Sequence, residues 1–311
     1  MLQNFIISLQ AVLPLFFMMM IGALVRRKGW LNLPELPRLN GMIFKTLFPF
    51  TVFSSLYGTD LTHSLHPGLI AFSVGAVLLT ILVSLWIVPK LEPNNRSRGA
   101  MIQGIYRSNF VLLGLPLAAN LYPGADLGMP AIIIAVLIPV YNVMAVIILE
   151  CYRGERPSPG RIIRGVFTNP LILGCIAGLL CIPLDLPRIL DQTISQLGAA
   201  ATPMALILLG ASFQFQHSPH LRRNLRIVTF CRLLLVPGIF LSLAALLGFR
   251  DMAFVTLLGV FSAPCAVSSF TMAEQMDSDG ELAGAAVVYT SLFSCATMFL
   301  WTFLFKQLGM F

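Results

Sequence analysis

Charge is what this chain has least of. Of its 311 residues only 11% are charged while 57% are hydrophobic, and a soluble domain carries about 25% charged residues. So apolar a composition calls for a solvent other than water. Cysteine is sparse and unpatterned. Cys151, Cys175, Cys181, Cys231, Cys265 and Cys295 show no CxxC or zinc-finger spacing, and most sit inside apolar runs as small hydrophobes. Neither a disulfide framework nor a metal cluster is expected. The chain has no GxxxxGKS/T phosphate loop, no HExxH and no Ser/His/Asp constellation, and no soluble segment large enough to hold a nucleotide. An enzyme is therefore not expected, nor any cofactor, and active transport would have to draw on a gradient. Alternating strand-like segments are few, which disfavours an outer-membrane barrel.

What the chain does have is apolar runs, each close to the roughly 20 residues that cross a bilayer. They fall at Phe5–Val25, Leu33–Tyr57, Pro67–Val88, Ala100–Leu121, Leu127–Glu150, Ile162–Ile182, Arg188–Phe213, Leu225–Leu247, Met252–Gln275 and Leu282–Phe305. A hydrophilic connector, Cys151–Arg161, separates the first five from the last five. The expected fold is an all-α polytopic membrane protein of ten spans. Its first basic residues, Arg26, Arg27 and Lys28, follow the first apolar run, the reverse of a secretory signal. That run is expected to be a retained helix.

The net charge of +7 is held in short clusters between runs, which is an orientation signal and not a nucleic-acid face. Arg26, Arg27, Lys28 and Arg38 follow the first run, Lys90, Arg96 and Arg98 the third, Arg153, Arg156 and Arg161 the fifth, and Arg222 and Arg223 the seventh. The second and fourth connectors, around Asp60 and Asp126, have no basic residue, and the sixth and eighth have only Arg188 and Arg250. The ninth, with Asp277, Asp279 and Glu281, adds no basic support, but acidic residues weigh little in this rule. The alternation puts odd connectors in the cytoplasm and both termini outside, in the periplasm of an inner-membrane protein.

An odd number of spans per half inverts one half relative to the other. Weak internal symmetry accompanies this. LNLP at Leu31–Pro34 matches LDLP at Leu184–Pro187, each before a span that carries Pro49 or Pro203. Gly114-Leu115-Pro116 in span four has a counterpart in Ser262-Ala263-Pro264 of span nine. Paired helix breakers at equivalent places of two halves are a sign of an inverted-repeat transporter with discontinuous helices at the midplane. The expected repeats are residues 1–152 and 162–311, joined by the connector at 153–161.

Proline removes a helix hydrogen bond and clashes with the preceding turn, and in hydrocarbon the freed groups need protein or a wet cavity. Pro116 and Pro264 are therefore expected to break their spans, with helix ends facing an anion. Each taken singly is also compatible with a simple kink. Asn109, Ser262, Ser268 and Ser269 would supply hydrogen bonds beside the breaks, or hold helices together. Ionisable residues inside spans are functional candidates. Lys45, mid-span before Pro49, and Arg107, beside Asn109, are candidates to offset a substrate charge, with snorkelling to the interface as the alternative. Arg232 is read as snorkelling, and Glu274, at the inner end of span nine, as a coupling candidate or an interfacial charge. Tyr141 and Asn142, beside Pro139, are candidates to face the cavity. Asp60, His63 and His66 form a DxxHxxH spacing more consistent with a solvated loop than a metal site. Asn169-Pro170 reads as a turn signal.

NFVLLGLP at Asn109–Pro116, LGAAATPMALILLGAS at Leu197–Ser212 and APCAVSSFTMAEQ at Ala263–Gln275 resemble the auxin efflux carrier family, in its bacterial permease form, related to the plant PIN carriers. The long cytoplasmic loop of many plant members is absent. The resemblance implies a fold like the bile acid and sodium/proton transporters, with crossing broken helices in spans four and nine. It implies a scaffold of spans one, two, six and seven, a transport domain from the rest, elevator-like alternating access, and a possible homodimer. Asn109, Gly114 and Pro116 correspond to the first crossover and Pro264 to the second, with Phe110 and Val111 where many members have smaller residues. Family substrates are organic anions: auxin in plants, malate or malonate among bacterial permeases. Export or exchange of a small carboxylate, coupled to protons or sodium, is expected. A sodium-coupled bile-acid-type symporter and a membrane sensor that binds without transporting are the alternatives.

Overall fold

The apolar runs fold as helices whose starts are marked by residues that either lack an amide N–H or accept from the first free ones. The computed structural model describes residues 2–57, 66–122, 127–154, 159–213 and 218–311. Its α-helices are α1 (Leu2–Arg27), α2 (Leu36–Thr46), α3 (Phe48–Tyr57), α4 (Pro67–Leu91), α5 (Asn95–Tyr106), α6 (Phe110–Leu121), α7 (Gly128–Cys151), α8 (Pro159–Thr168), α9 (Pro170–Cys181), α10 (Arg188–Ser212), α11 (Pro219–Phe230), α12 (Val236–Leu246), α13 (Asp251–Ser262), α14 (Ser268–Gln275) and α15 (Gly280–Gln307). Pro67, Pro170 and Pro219 open α4, α9 and α11, where the missing N–H is no loss. Side-chain caps do the rest: Asn169 Oδ1 accepts from Leu171 N–H at 3.0 Å, and Asp279 Oδ1 from Leu282 N–H at 2.9 Å.

Among the described residues there is no strand, and five helical spans are long and apolar enough to cross a bilayer. These are Pro67–Leu91, Gly128–Cys151, Arg188–Ser212, Pro219–Leu246 and Gly280–Gln307; Ile162–Thr168 with Pro170–Cys181, bent by 53°, makes a sixth. Of the remaining apolar runs, the first forms the continuous α1, and the second, fourth and ninth are divided. The run expected over Leu33–Tyr57 splits at Leu47, because Pro49 cannot donate to the carbonyl four residues back. Pro203, its expected counterpart, lies inside the unbroken α10. Between α11 and α12 a π-turn, Cys231–Leu235, bulges the helix without ending it.

Two apolar cores organise these helices. One joins α1, α2, α3, α9 and α10, through residues such as Leu15, Ile43, Leu56, Ile172 and Leu206, and takes in Cys265 of the second break and Phe270 and Met272 of α14. The other joins α4, α5, α6, α11, α12, α13 and α15, through residues such as Ile81, Ile102, Leu113, Val228, Leu241 and Leu258. α7 contributes to both, with Tyr141 in the second and Val146 in the first. α1 and α10 touch backbone to backbone, since a Cβ on Gly22 would meet the Ile207 carbonyl and one on Gly210 the Met19 carbonyl. In hydrocarbon such small-residue contacts take the place of the hydrophobic drive.

Candidate functional site: a crossing of two broken helices

The two cores meet where the chain leaves helical geometry twice. α5 ends at Tyr106 and α6 starts at Phe110; α13 ends at Ser262 and α14 starts at Ser268. The extended breaks cross as an antiparallel bridge between Ser108 and Cys265. Asn109 N–H donates to Pro264 O at 2.8 Å, and Ala266 N–H to Arg107 O at 3.2 Å. Thr290 of α15 steadies the crossing by accepting from Cys265 N–H at 3.0 Å. Next to the bridge α6 and α13 pass almost in contact: a Cβ on Gly259 would lie 2.8 Å from the Gly114 Cα.

Four helix ends therefore converge, two of each sign. The carbonyl ends of α5 and α13 meet Arg232, which comes from the π-turn and is 1% exposed. Its guanidinium donates to Ala263 O at 2.8 Å, Ile105 O at 3.3 Å, Tyr106 O at 3.2 Å, Val260 O at 2.9 Å and Phe261 O at 3.2 Å. Each helix end carries about half a negative charge, so the two together match one guanidinium. Arg232 does not snorkel; it offsets the carbonyl ends of both broken helices.

Among the described residues the amide ends of α6 and α14 meet no such charged partner. They face a cavity of about 120 Å³ lined by Phe48, Thr51, Val52 and Ser55 of α3, Arg107, Ser108 and Asn109 of the first break, Tyr141 and Asn142 of α7, and Ala266 and Ser268 of the second. Arg107 is 4% exposed and donates to Asn142 Oδ1 at 2.6 Å and Met272 Sδ at 2.6 Å. With the Gln103 amide oriented to donate to Ser269 O, its oxygen also accepts from Arg107 at 3.2 Å. No carboxylate pairs with Arg107 among the described residues. A buried ion without a counterion costs several kcal/mol. Two half-positive helix ends and a full guanidinium thus leave a positive excess at this wall. Asn109 adds a buried side-chain amide nitrogen with no hydrogen-bond partner among the described residues.

The comparisons with known proteins agree with a chain built for a membrane. The family described as membrane transport protein matches residues 7–162 and 160–302. The chain belongs to the membrane transport protein family. An uncharacterized transporter of Methanothermobacter thermautotrophicus is 23% identical over 300 residues, covering 95% of this chain and 97% of that relative. This agrees with the family resemblance carried by the motifs at Asn109–Pro116, Leu197–Ser212 and Ala263–Gln275.

Within this membrane transport protein the candidate residues separate into three groups. Arg107, Asn109, Asn142 and Ser268 line the cavity. Pro264, Ser262, Ser269 and Gly114 build the crossing: Pro264 supplies the bridging carbonyl, and Gly114 lets α6 approach α13. The Ser262 hydroxyl donates back to Leu258 O at 2.6 Å, and Ser269 is buried and outside the cavity lining. Lys45 and Glu274 lie elsewhere. Lys45 is exposed and absent from the cavity lining, and Glu274 lines a separate cavity with Phe270, Ser212 and Glu281. Pro116 does not break its helix: it lies inside α6, exposed, and the break comes seven residues earlier. Its missing N–H instead frees the carbonyl of Leu112, a cavity residue. Asp60 and His63, two of the three residues of the DxxHxxH spacing, lie outside the described residues. Thr51 and Ser55 were missed by sequence reasoning, although their i, i+4 spacing puts two hydroxyls on one face of α3.

Proposed function

We propose that this chain is a secondary transporter of small organic anions, carboxylates above all, and that it works as ten spans in two inverted halves of five. One observation carries the reading: Arg107, buried and with no carboxylate partner among the described residues, stands beside two helix amide ends at a cavity between the two cores. An anion entering there removes an electrostatic penalty that the empty protein bears. Asn109 and Ser268 add hydrogen bonds, and the hydroxyls of Thr51 and Ser55 complete the opposite wall.

The resemblance of the motifs supports an elevator-like mechanism, with α1–α3 and α8–α10 as the static part and the crossing carried by the remaining helices. With odd connectors cytoplasmic, α3 forms the periplasmic side of the cavity. The cytoplasmic side is closed by α2 against α14, where Asn40 Nδ2 donates to Thr271 O at 3.3 Å and Gln275 Nε2 to Pro37 O at 3.3 Å. This arrangement suits an outward-facing state of an inner-membrane protein with periplasmic termini, exporting or exchanging its anion. Protons or sodium are the coupling ions proposed, with Glu274 as a coupling residue only if its cavity joins the pathway in another state.

Flux of labelled malate and malonate in proteoliposomes, with imposed proton or sodium gradients, tests the proposal. Saturable flux abolished or weakened by Asn109→Ala is expected. Anion binding without flux would make the chain a sensor instead, and unaltered flux and affinity in Asn109→Ala would move the site.

A further inference from the structure

A groove of about 1040 Å³ runs between α11 with its π-turn and α15. It exceeds the roughly 300–1,000 Å³ of ordinary small-ligand pockets. Its lining is mostly apolar, with Leu225, Leu233 and the exposed Phe230, Leu234 and Phe293, and its uncharged polar members are Thr229, Tyr289 and Thr297. Charge is confined to one end, where Arg222 and Arg226 line it one turn apart. α11 contains three arginines, at 222, 223 and 226, and no acidic residue. Both flanking helices belong to spans long and apolar enough to cross a bilayer, so the groove opens toward hydrocarbon.

We infer that this groove is a binding site for an anionic phospholipid, acyl chains along Phe230 and Phe293 and headgroup phosphate against Arg222 and Arg226. The charge pattern selects this occupant. A neutral lipid brings no net negative charge to the two guanidiniums at the end of an apolar slot, and a second protein copy would have to bring acidic residues into a hydrocarbon-lined cleft. The inference uses the orientation given under the proposed function, in which the α11 end with the arginines is cytoplasmic. Arginine near an anionic leaflet contributes about 1 kcal/mol, or roughly fivefold, so two give about thirtyfold selectivity. Because α11 leads into the π-turn that presents Arg232, a lipid seated there stabilises the segment holding the crossing.

Native mass spectrometry of the purified full chain, titrated with dioleoyl phosphatidylglycerol and dioleoyl phosphatidylcholine, tests this independently of transport. One tightly retained phosphatidylglycerol is expected, bound at least tenfold better than phosphatidylcholine. The double variant Arg222→Gln/Arg226→Gln should bring the two lipids to equal retention, and Ala296→Trp, which fills the groove, should weaken both several-fold. A lipid preference that survives the double variant would overturn the inference. So would retention unaffected by Ala296→Trp, competition by glycerol phosphate alone, or a dimer that Ala296→Trp converts to monomer. Binding that behaves as expected in a protein with no anion flux would leave this site standing and refute the transport proposal alone.

Discussion

Replacing Arg232 with methionine tests whether the crossing depends on that guanidinium. Methionine keeps an apolar stem of similar reach and removes every donor. The carbonyls of Ile105, Tyr106, Val260, Phe261 and Ala263 lose their partner together. Four of them belong to the last turns of α5 and α13, where the helix offers no N–H. A buried acceptor left unsatisfied costs about 1–3 kcal/mol. The five share one relaxation and do not add, so a net loss of about 3–5 kcal/mol, as for breaking a buried charged network, is the working figure. At about 2–4 °C per kcal/mol for a domain of this order of size, the melting temperature should fall by roughly 6–20 °C. Trp301 is a built-in reporter, since its indole N–H donates to Leu233 O of the same π-turn at 2.9 Å. Heating the detergent-solubilised protein while following tryptophan emission gives the measurement. Arg232→Lys, which keeps the charge but offers three donors in place of five, should fall in between. If Arg232→Met melted within about 2 °C of the parent, the carbonyl ends would not depend on Arg232 and the charge division at the crossing would be wrong.

Arg107 should respond in the opposite sense. Arg107→Gln removes a buried charge that no described carboxylate pairs, so the empty protein should melt no lower than the parent; loss of a charged hydrogen bond of about 1.5–3 kcal/mol should weaken anion binding about ten- to a hundredfold, read as lost thermal stabilisation by malate or malonate. A Gly259→Val variant places a side chain against the Gly114 backbone and should destabilise by at least about 1–3 kcal/mol; an unchanged melting temperature would mean that α6 and α13 do not cross there. Lys45→Ala should leave anion affinity within about twofold, because Lys45 is exposed and outside the cavity lining. A tenfold loss in that variant would return Lys45 to the site.

Much of the fold is legible in the amino-acid sequence, because hydrophobic run length and helix starts are local properties. Each described helix overlaps an apolar run recognised in the sequence, and Pro67, Pro170 and Asp279 mark helix starts on their own. Membrane class and family follow from the same residues and from the motif around Asn109. The site is legible only in part. Arg107, Asn109, Asn142 and Ser268 stand out as polar or charged residues inside apolar runs, since such residues are expensive unless they have a task.

Where each side chain ends up is another matter, because it depends on segments far apart in the chain. Lys45 and Arg107 look alike in sequence, each a cation within an apolar run. One is exposed, whereas the other is enclosed by Asn142 and Met272 of distant helices. Pro116 is the stronger local breaker, yet the helix gives way at Arg107–Asn109. There, lost helix bonds are replaced by a bridge to Cys265 and by Arg232, which sits more than 120 residues downstream. Proline needs only one bond to be given up, and the carbonyl it frees, that of Leu112, lies at the cavity. Opening a helix completely in hydrocarbon requires partners for several backbone groups at once. Only the tertiary structure, by bringing two breaks and one buried arginine to the same point, supplies them.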